Sequence, residues 1–385
     1  MTKTILRLTL FLTLFFTAKI FAQNSQISKN QIAEINQLVE KLSNEDRFSG
    51  TVLFAKGNDI LYQKAVGFSN LENKTLNNIN TKFNLASMNK MFTGVSIAQL
   101  AEKRKLTYSD KVIEYLPNLP DSTFGNITIE QLLTHTAGTC DFFRIPKFMD
   151  IKDTAKTIAT YVDLGINETL LFEPGARFEY SNYGYILLGA IVEKLSKMSY
   201  YDYVQKNIFD KAGMNNSGFY ETDKENTNMA IGYAIPPPIA GQVQPAKGEK
   251  IIREPNTKII EVKGTSAGGG YSTAIDLHKF SIALLSGKLV SLETLSTITK
   301  GKVVMPTPML PPNAKPLPET KYGFGFGELY KNGYRIIGHN GGAPGAEGHL
   351  DIYPEQEYMV ILLSNYDRIV TPMMNQIEDI ITTKP

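Results

Sequence analysis

The sequence predicts an α+β protein in which both ends of the chain build one antiparallel sheet flanked by helices, with a mostly helical lobe inserted between them. Two observations carry this. Strand-like runs crowd the ends, at residues 50–55 and 60–66 and again at 325–330, 334–338, 348–353 and 358–364. Between residue 87 and about residue 287 the apolar residues recur at helical spacing instead. A chain of 385 residues, 42% of them hydrophobic, has ample apolar content for such a body.

Residues 1–22 stand apart. Lys3 and Arg7 precede an apolar run at 8–16, and Ala18-Lys19-Ile20-Phe21-Ala22 follows, the pattern of a secretory signal peptide cut after Ala22. The expected location is therefore periplasmic or secreted. The apolar run is too short to span a bilayer comfortably, so no stable membrane insertion is expected after its removal. No cysteine follows the cut, and Cys140 is the sole cysteine, which excludes an internal disulfide. The formal charge is +2, and loss of Lys3, Arg7 and Lys19 leaves the remainder near neutral. Nothing in that balance calls for nucleic acid or anionic lipid as a partner.

Residues 23–385 read as one domain, with a sheet lobe at about 23–83 and 320–385 and a helical lobe at about 84–300. Residues 28–42 place Ile32, Ile35, Leu38, Val39 and Leu42 on one side of a helix. The runs 50–55 and 60–66, split by Lys56-Gly57-Asn58-Asp59, read as an antiparallel hairpin. Loops interrupt the helical lobe, for example at Pro236-Pro237-Pro238, and residues 306–318 are proline-rich and read as an extended surface loop. An amphipathic helix at about 371–381 closes the chain.

The chain's chemistry is sought where it first leaves the sheet, in Ser87-Met88-Asn89-Lys90. Residues at i and i+3 share a helix face, so Lys90 reaches the Ser87 hydroxyl if a helix starts at or just after Ser87. The following Met91, Phe92, Val95, Ile97, Ala98 and Leu100 make that helix apolar around much of its surface, which buries Lys90. Burial and the positive helix end disfavour an ammonium, and a neutral lysine activates an otherwise weak serine nucleophile. In isolation the same spacing also suits an N-cap followed by a solvated first-turn lysine.

A serine-lysine pair needs a second proton handler, a substrate ligand and oxyanion donors. Phe178-Glu179-Tyr180-Ser181-Asn182-Tyr183-Gly184, after the turn Glu173-Pro174-Gly175, supplies Tyr180 as a phenolate to take the serine proton and Asn182 to bind an amide carbonyl. An aromatic core contact and an N-capping Asn are the alternative. Tyr330-Lys331-Asn332 repeats the Tyr-x-Asn pattern, but Asn332-Gly333 between two strands reads as a hairpin turn. His339-Asn340-Gly341-Gly342 ends a strand in glycines, which lets a substrate backbone approach closely and offers the Gly342 N–H as partner to that of Ser87.

A rival nucleophile is Ser266 in Gly264-Thr265-Ser266-Ala267-Gly268, followed by Asp276 and His339 in the chain order of an α/β-hydrolase. Gly269-Gly270 stand where its helix would begin, however, and the Thr273 to Asp276 spacing is that of a capping box. His135, His278, His339 and His349 show no paired metal-ligand spacing.

The ordered motifs Ser87-Met88-Asn89-Lys90, Tyr180-Ser181-Asn182 and His339-Asn340-Gly341 resemble those of the penicillin-recognising serine hydrolases, in the branch of class C β-lactamases, DD-peptidases, D-aminopeptidases and related esterases. The resemblance extends to Gln131-Leu132-Leu133-Thr134-His135-Thr136-Ala137-Gly138, to 267–273 and to Tyr322-Gly323-Phe324-Gly325. It implies a β-lactamase/transpeptidase-like fold, Ser87 as acylated nucleophile, Lys90 and Tyr180 as proton shuttles, and Asn182, His339, Gly341 and Gly342 as the substrate-binding set. No metal or organic cofactor is implied, and the partner is a small-molecule or peptide substrate. Class C β-lactamases usually carry Lys-Thr-Gly in the third motif, and His-Asn-Gly here resembles the peptidase side. The expectation is hydrolysis of a peptide, amide or ester through an acyl-enzyme. A carboxylesterase, a class C-like β-lactamase and a non-catalytic ligand-binding relative are the alternatives.

Overall fold

A computed structural model describes residues 27–236, 251–307 and 317–383. The signal segment 1–22, Pro237 and Pro238, and residues 308–316 of the proline-rich stretch lie outside the described residues.

Helix α1 spans Lys29–Asn44 because Ser28 and Gln31 form a reciprocal capping box and Ile35, Val39 and Leu42 fall on one buried stripe. Strands β1 (Gly50–Lys56) and β2 (Asp59–Val66) form the expected hairpin. The helical lobe follows, built around α2 (Asn89–Glu102), α3 (Asn182–Ser196) and α4 (Ala274–Leu285). From Asn89 to Leu100 every residue of α2 is buried, so this helix forms the centre of the lobe.

The chain then returns to the sheet through β3 (Val303–Val304), β4 (Thr320–Tyr322), β5 (Gly327–Lys331), β6 (Tyr334–Ala343), β7 (Ala346–Tyr353) and β8 (Tyr358–Ser364), and ends in α5 (Val370–Thr382). The eight strands lie in the order β2-β1-β8-β7-β6-β5-β4-β3, and their pairings are antiparallel. Strand β1 is zipped to β8 from Gly50 opposite Ser364 to Lys56 opposite Tyr358, so the two ends of the chain share the sheet centre.

Alternation along these strands divides the core. Leu53, Ala55, Leu350, Ile361 and Leu363 face the helical lobe, whereas Val52, Phe54, Tyr353, Val360 and Leu362 face α1 and α5. Each such side chain contributes roughly 1.5–3 kcal/mol on burial. The Glu347 carboxylate of β7 accepts from the backbone N–H groups of Ile369, Val370 and Thr371, which caps α5 and fixes it over the sheet.

The α+β class and the terminal sheet agree with the sequence, and three details differ. Strands β3 and β4 were not expected, being two and three residues long beside prolines, too short for an alternation to register. Strand β5 begins at Gly327 rather than at residue 325, because Gly325 turns the chain at φ +81°. Strand β6 runs on to Ala343 instead of stopping at Gly338: pairing with β7 supplies the hydrogen bonds that glycines cannot announce by pattern. Asn332 and Gly333 both have positive φ, as a two-residue hairpin turn requires. Among the described residues no helix is long and apolar enough to cross a membrane.

Close packing of α2 gives a direct test. A Cβ on Gly94 would lie 2.1 Å from the carbonyl oxygen of Phe324, so Gly94→Ala forces the helix off that loop. The expected loss is about 2 kcal/mol, read as a lower urea midpoint at unchanged slope.

Candidate active site

Two short paired segments, Phe83–Asn84 and Tyr271–Ser272, deliver the chain to the turn that holds Ser87. The Leu85 N–H donates to Gly270 O at 2.7 Å, and the Ala86 N–H donates to Asn84 Oδ1 at 2.8 Å. Ala86 has φ +43°, a conformation that costs a non-glycine residue on the order of 1 kcal/mol and is held here by those two bonds. A 3-10 turn, Ala86–Met88, leads directly into α2. The glycines at 268–270 explain themselves against this turn: a Cβ on Gly268 would sit 3.0 Å from Ala86 O, and one on Gly270 would sit 2.7 Å from Asn89 Nδ2.

Ser87 is half-buried at the mouth of α2, and Lys90 lies one turn deeper with no exposed surface. Its Nζ donates to Asn182 Oδ1 at 2.6 Å and to the carbonyl oxygen of Ala267 at 2.6 Å. The Ser87 Oγ is 3.3 Å away. Burial lowers Lys90 to about 7, with Asp141 pulling weakly the other way. A neutral amine has two N–H bonds, both satisfied by Asn182 and Ala267, and its lone pair is then left for the serine proton.

Tyr180 places its ring 4.7 Å from Lys90 Nζ. Burial raises its phenol above the usual tyrosine range, and the Ser87 hydroxyl opposes this only in part. The phenolate expected from the sequence is thereby disfavoured, and the uncharged pair of amine and phenol takes its place. Ser181, not Asn182, caps α3, through Gly184 N–H to Ser181 Oγ at 3.1 Å. This leaves Asn182 in the first turn, where its Nδ2 donates to Asp141 Oδ2 at 3.0 Å while its oxygen takes Lys90.

Beyond Gly338, β6 keeps β7 on one side but has no β5 residue on the other, so alternate N–H groups of residues 339–343 face the cleft. A Cβ on Gly341 would lie 2.2 Å from Leu85 O and 3.0 Å from Ser87 N, which requires glycine there. Gly342 and Ser87 line the same cavity, of about 470 Å³. His339 has both ring nitrogens engaged: Nδ1 donates to Asn340 O, and Nε2 accepts from Tyr322 Oη at 2.8 Å. Burial and nearby Lys90 lower it to about 3, so the imidazole is neutral and offers no free donor to a carboxylate.

Four participants escaped the sequence reading. Asp141 orients Asn182, the Ala267 carbonyl holds Lys90, and Tyr322 engages His339. His135, at φ +58°, accepts from Ser181 N–H at 3.1 Å and lays its ring 4.2 Å from that of Tyr180. Three of these stood inside the quoted motifs, but a backbone carbonyl or a positioning ring has no residue signature of its own.

The competing groups are elsewhere. Ser266 is fully buried beneath Gly189, where a Cβ would meet its Oγ at 2.3 Å, and Asp276 is engaged with Asn216 N–H, Ser217 Oγ and Lys279. Lys331 is bound to Glu378 and Asp379 at the β5–β6 hairpin. Burial pushes the Cys140 thiol up to about 11, which makes it a poor nucleophile.

Comparison with known proteins agrees with this geometry. A model of the Beta-lactamase family matches residues 35–375. Penicillin-binding protein 4* of Bacillus subtilis is 32% identical over 350 residues, covering 88% of this chain and 73% of that protein. The crystal structure of a penicillin-binding protein from Bacillus halodurans superposes with a TM-score of 0.75 at 29% identity, over 89% of this chain and 98% of that one. The D-amino acid amidase of Ochrobactrum anthropi shares the fold, with a TM-score of 0.72 at 21% identity over 90% and 98% of the two chains. The chain therefore belongs to the Beta-lactamase family of hydrolases, within the penicillin-recognising serine hydrolase superfamily.

Proposed function

We propose that this protein hydrolyses a peptide, amide or ester bond through an acyl-Ser87 intermediate. The observation that carries the reading is the Lys90 amine, buried, held by two acceptors and 3.3 Å from Ser87 Oγ. Ser87 Oγ attacks the substrate carbonyl and gives its proton to Lys90. The carbonyl oxygen, now negative, is received by the N–H groups of Ser87 and Gly342. Collapse breaks the bond to the leaving group, which takes its proton from Tyr180 or Lys90. A water then adds to the ester, delivers its proton through the same pair, and releases the acid and free Ser87.

An amide or ester fits better than a β-lactam antibiotic. His339 is neutral with both nitrogens occupied, the described lining of the cavity that holds it includes no lysine or arginine, and Lys263, which lines the adjoining pocket at Ser87, is already paired with Glu221, so little is left to attract the carboxylate of such a drug. The signal-like residues 1–22 favour action in the periplasm or outside the cell.

Intact mass after treatment with a fluorophosphonate and an activated ester tests the nucleophile. The adduct is expected to vanish in Ser87→Ala and persist in Ser266→Ala, and ester turnover to fall by about 10⁴-fold with Ser87→Ala. The reverse pattern would refute the assignment. Because Lys90 acts as a base with its proton lost at about 7, acylation is expected to rise about tenfold per pH unit below that value and to level off above it. A flat profile from pH 5 to 8 would sink the neutral-lysine mechanism. Gly341→Ala, by pushing β6 off Ser87 N, is expected to lower kcat by about 10²-fold with the circular dichroism unchanged.

A further inference from the structure

The cavity of about 470 Å³ does not end at Ser87. Its lining continues past the free edge of β6 to the opposite face of the sheet, where α5 crosses β7. There His349 and Asp351 of β7 form a floor, since both alternate with Leu350, which faces the helical lobe. Thr371, Asn375 and Glu378 form a wall at i, i+4 and i+7 of α5, one helical face, held in place by the Glu347 cap. All five line the cavity together with Ser87.

This chamber is polar, largely buried and short of partners. His349 Nε2 lies 3.0 Å from Asp351 Oδ1, but Asp351 Oδ2 and His349 Nδ1 have no partner among the described residues, although Asp351 is only 3% exposed. A buried carboxylate oxygen left without a donor is destabilising. Burial and Asp351 push Glu378 up to about 7, the behaviour of two carboxyl groups sharing a site with too little positive charge. Lys331 is already engaged with Glu378 and Asp379, and His349 meets Asp351 through Nε2. No cluster of histidine, cysteine, aspartate or glutamate among the described residues is arranged to hold a metal.

We infer that this chamber binds a primary ammonium group at the end of the substrate remote from the bond cleaved at Ser87, with Asp351 Oδ2 as its main acceptor and Glu378 as the second charge. An ammonium supplies the missing donor and the missing charge at once, and its three N–H bonds suit an acceptor set that includes the Asn375 side-chain amide oxygen and the Thr371 hydroxyl. A carboxylate in the same place would face Asp351 and Glu378 with no unpaired cation. The inference rests on hydrolysis at Ser87.

Paired p-nitrophenyl esters and anilides, of graded chain length and ending in either an amine or an isosteric methyl group, placed on the acyl or the leaving side, provide the test. The protein is expected to prefer the amine in one of these series by about tenfold or more in kcat/KM, and the ratio to collapse towards one in Asp351→Asn and in Glu378→Gln. No preference in either series, or a preference that both variants retain, would overturn the inference. Should the methyl-terminated esters themselves not be turned over, hydrolysis at Ser87 would fail instead. Thermal stabilisation of Ser87→Ala by hexylammonium against hexanol then makes the same comparison: stabilisation by the amine alone, lost with Asp351→Asn, upholds the chamber, and equal effects overturn it.

Discussion

A lysine sealed from water dictates what surrounds it. The Lys90 side chain enters the protein at the first turn of α2, and an ammonium there must be neutralised, solvated by the protein, or deprotonated. Among the described residues no carboxylate bonds to it directly; Asp141 acts across the Asn182 amide. Two neutral oxygens, from Asn182 and Ala267, fix two N–H directions and leave the lone pair of the neutral amine towards Ser87. That choice keeps Lys90 near neutrality, whereas a directly bonded aspartate would hold it charged and useless as a base. The loop 264–270 and the start of α3 are both fixed by the need to bring those oxygens to one point.

The same turn carries its own cost. Ala86 sits at positive φ, and its neighbours are locked by Asn84 and by Gly270, with glycines pressed against it at 268–270 and at 341. Side chains larger than hydrogen would hold those strands away from Ser87. Ser87 is thus set on rigid elements from three parts of the chain, and the terminal sheet, closed by β1 against β8, is what brings the third part into place.

Much of this was legible in the sequence because it rests on period and on spacing. The terminal strands and α1 follow from alternation and from a capping box, and the Ser87 to Lys90 spacing states its own geometry. Other features left no mark. The length of β6 is decided by pairing with β7, since Gly341 and Gly342 carry no side-chain pattern to read. The role of Ala267 belongs to its backbone, which any residue would supply. The protonation of Tyr180 depends on its burial against His135 and Lys90, a three-dimensional quantity, and so the phenolate inferred from residue type alone gave way.

Charge in the cleft is arranged by subtraction. Lys90, His135 and His339 are buried basic groups of the site, and burial lowers the proton affinity of all three, with the Lys90 ammonium further lowering both histidines. Three basic side chains crowded in low dielectric cannot all be charged, so both histidines stay neutral and Lys90 takes up its proton only towards about 7 and below. The consequence is a front wall that attracts by hydrogen bonds rather than by charge. The acidic groups of the cavity lie behind β6, at Asp351 and Glu378. The buried basic groups beside Ser87 and the acidic groups at Asp351 and Glu378 thus stand on opposite faces of the sheet, separated by β6.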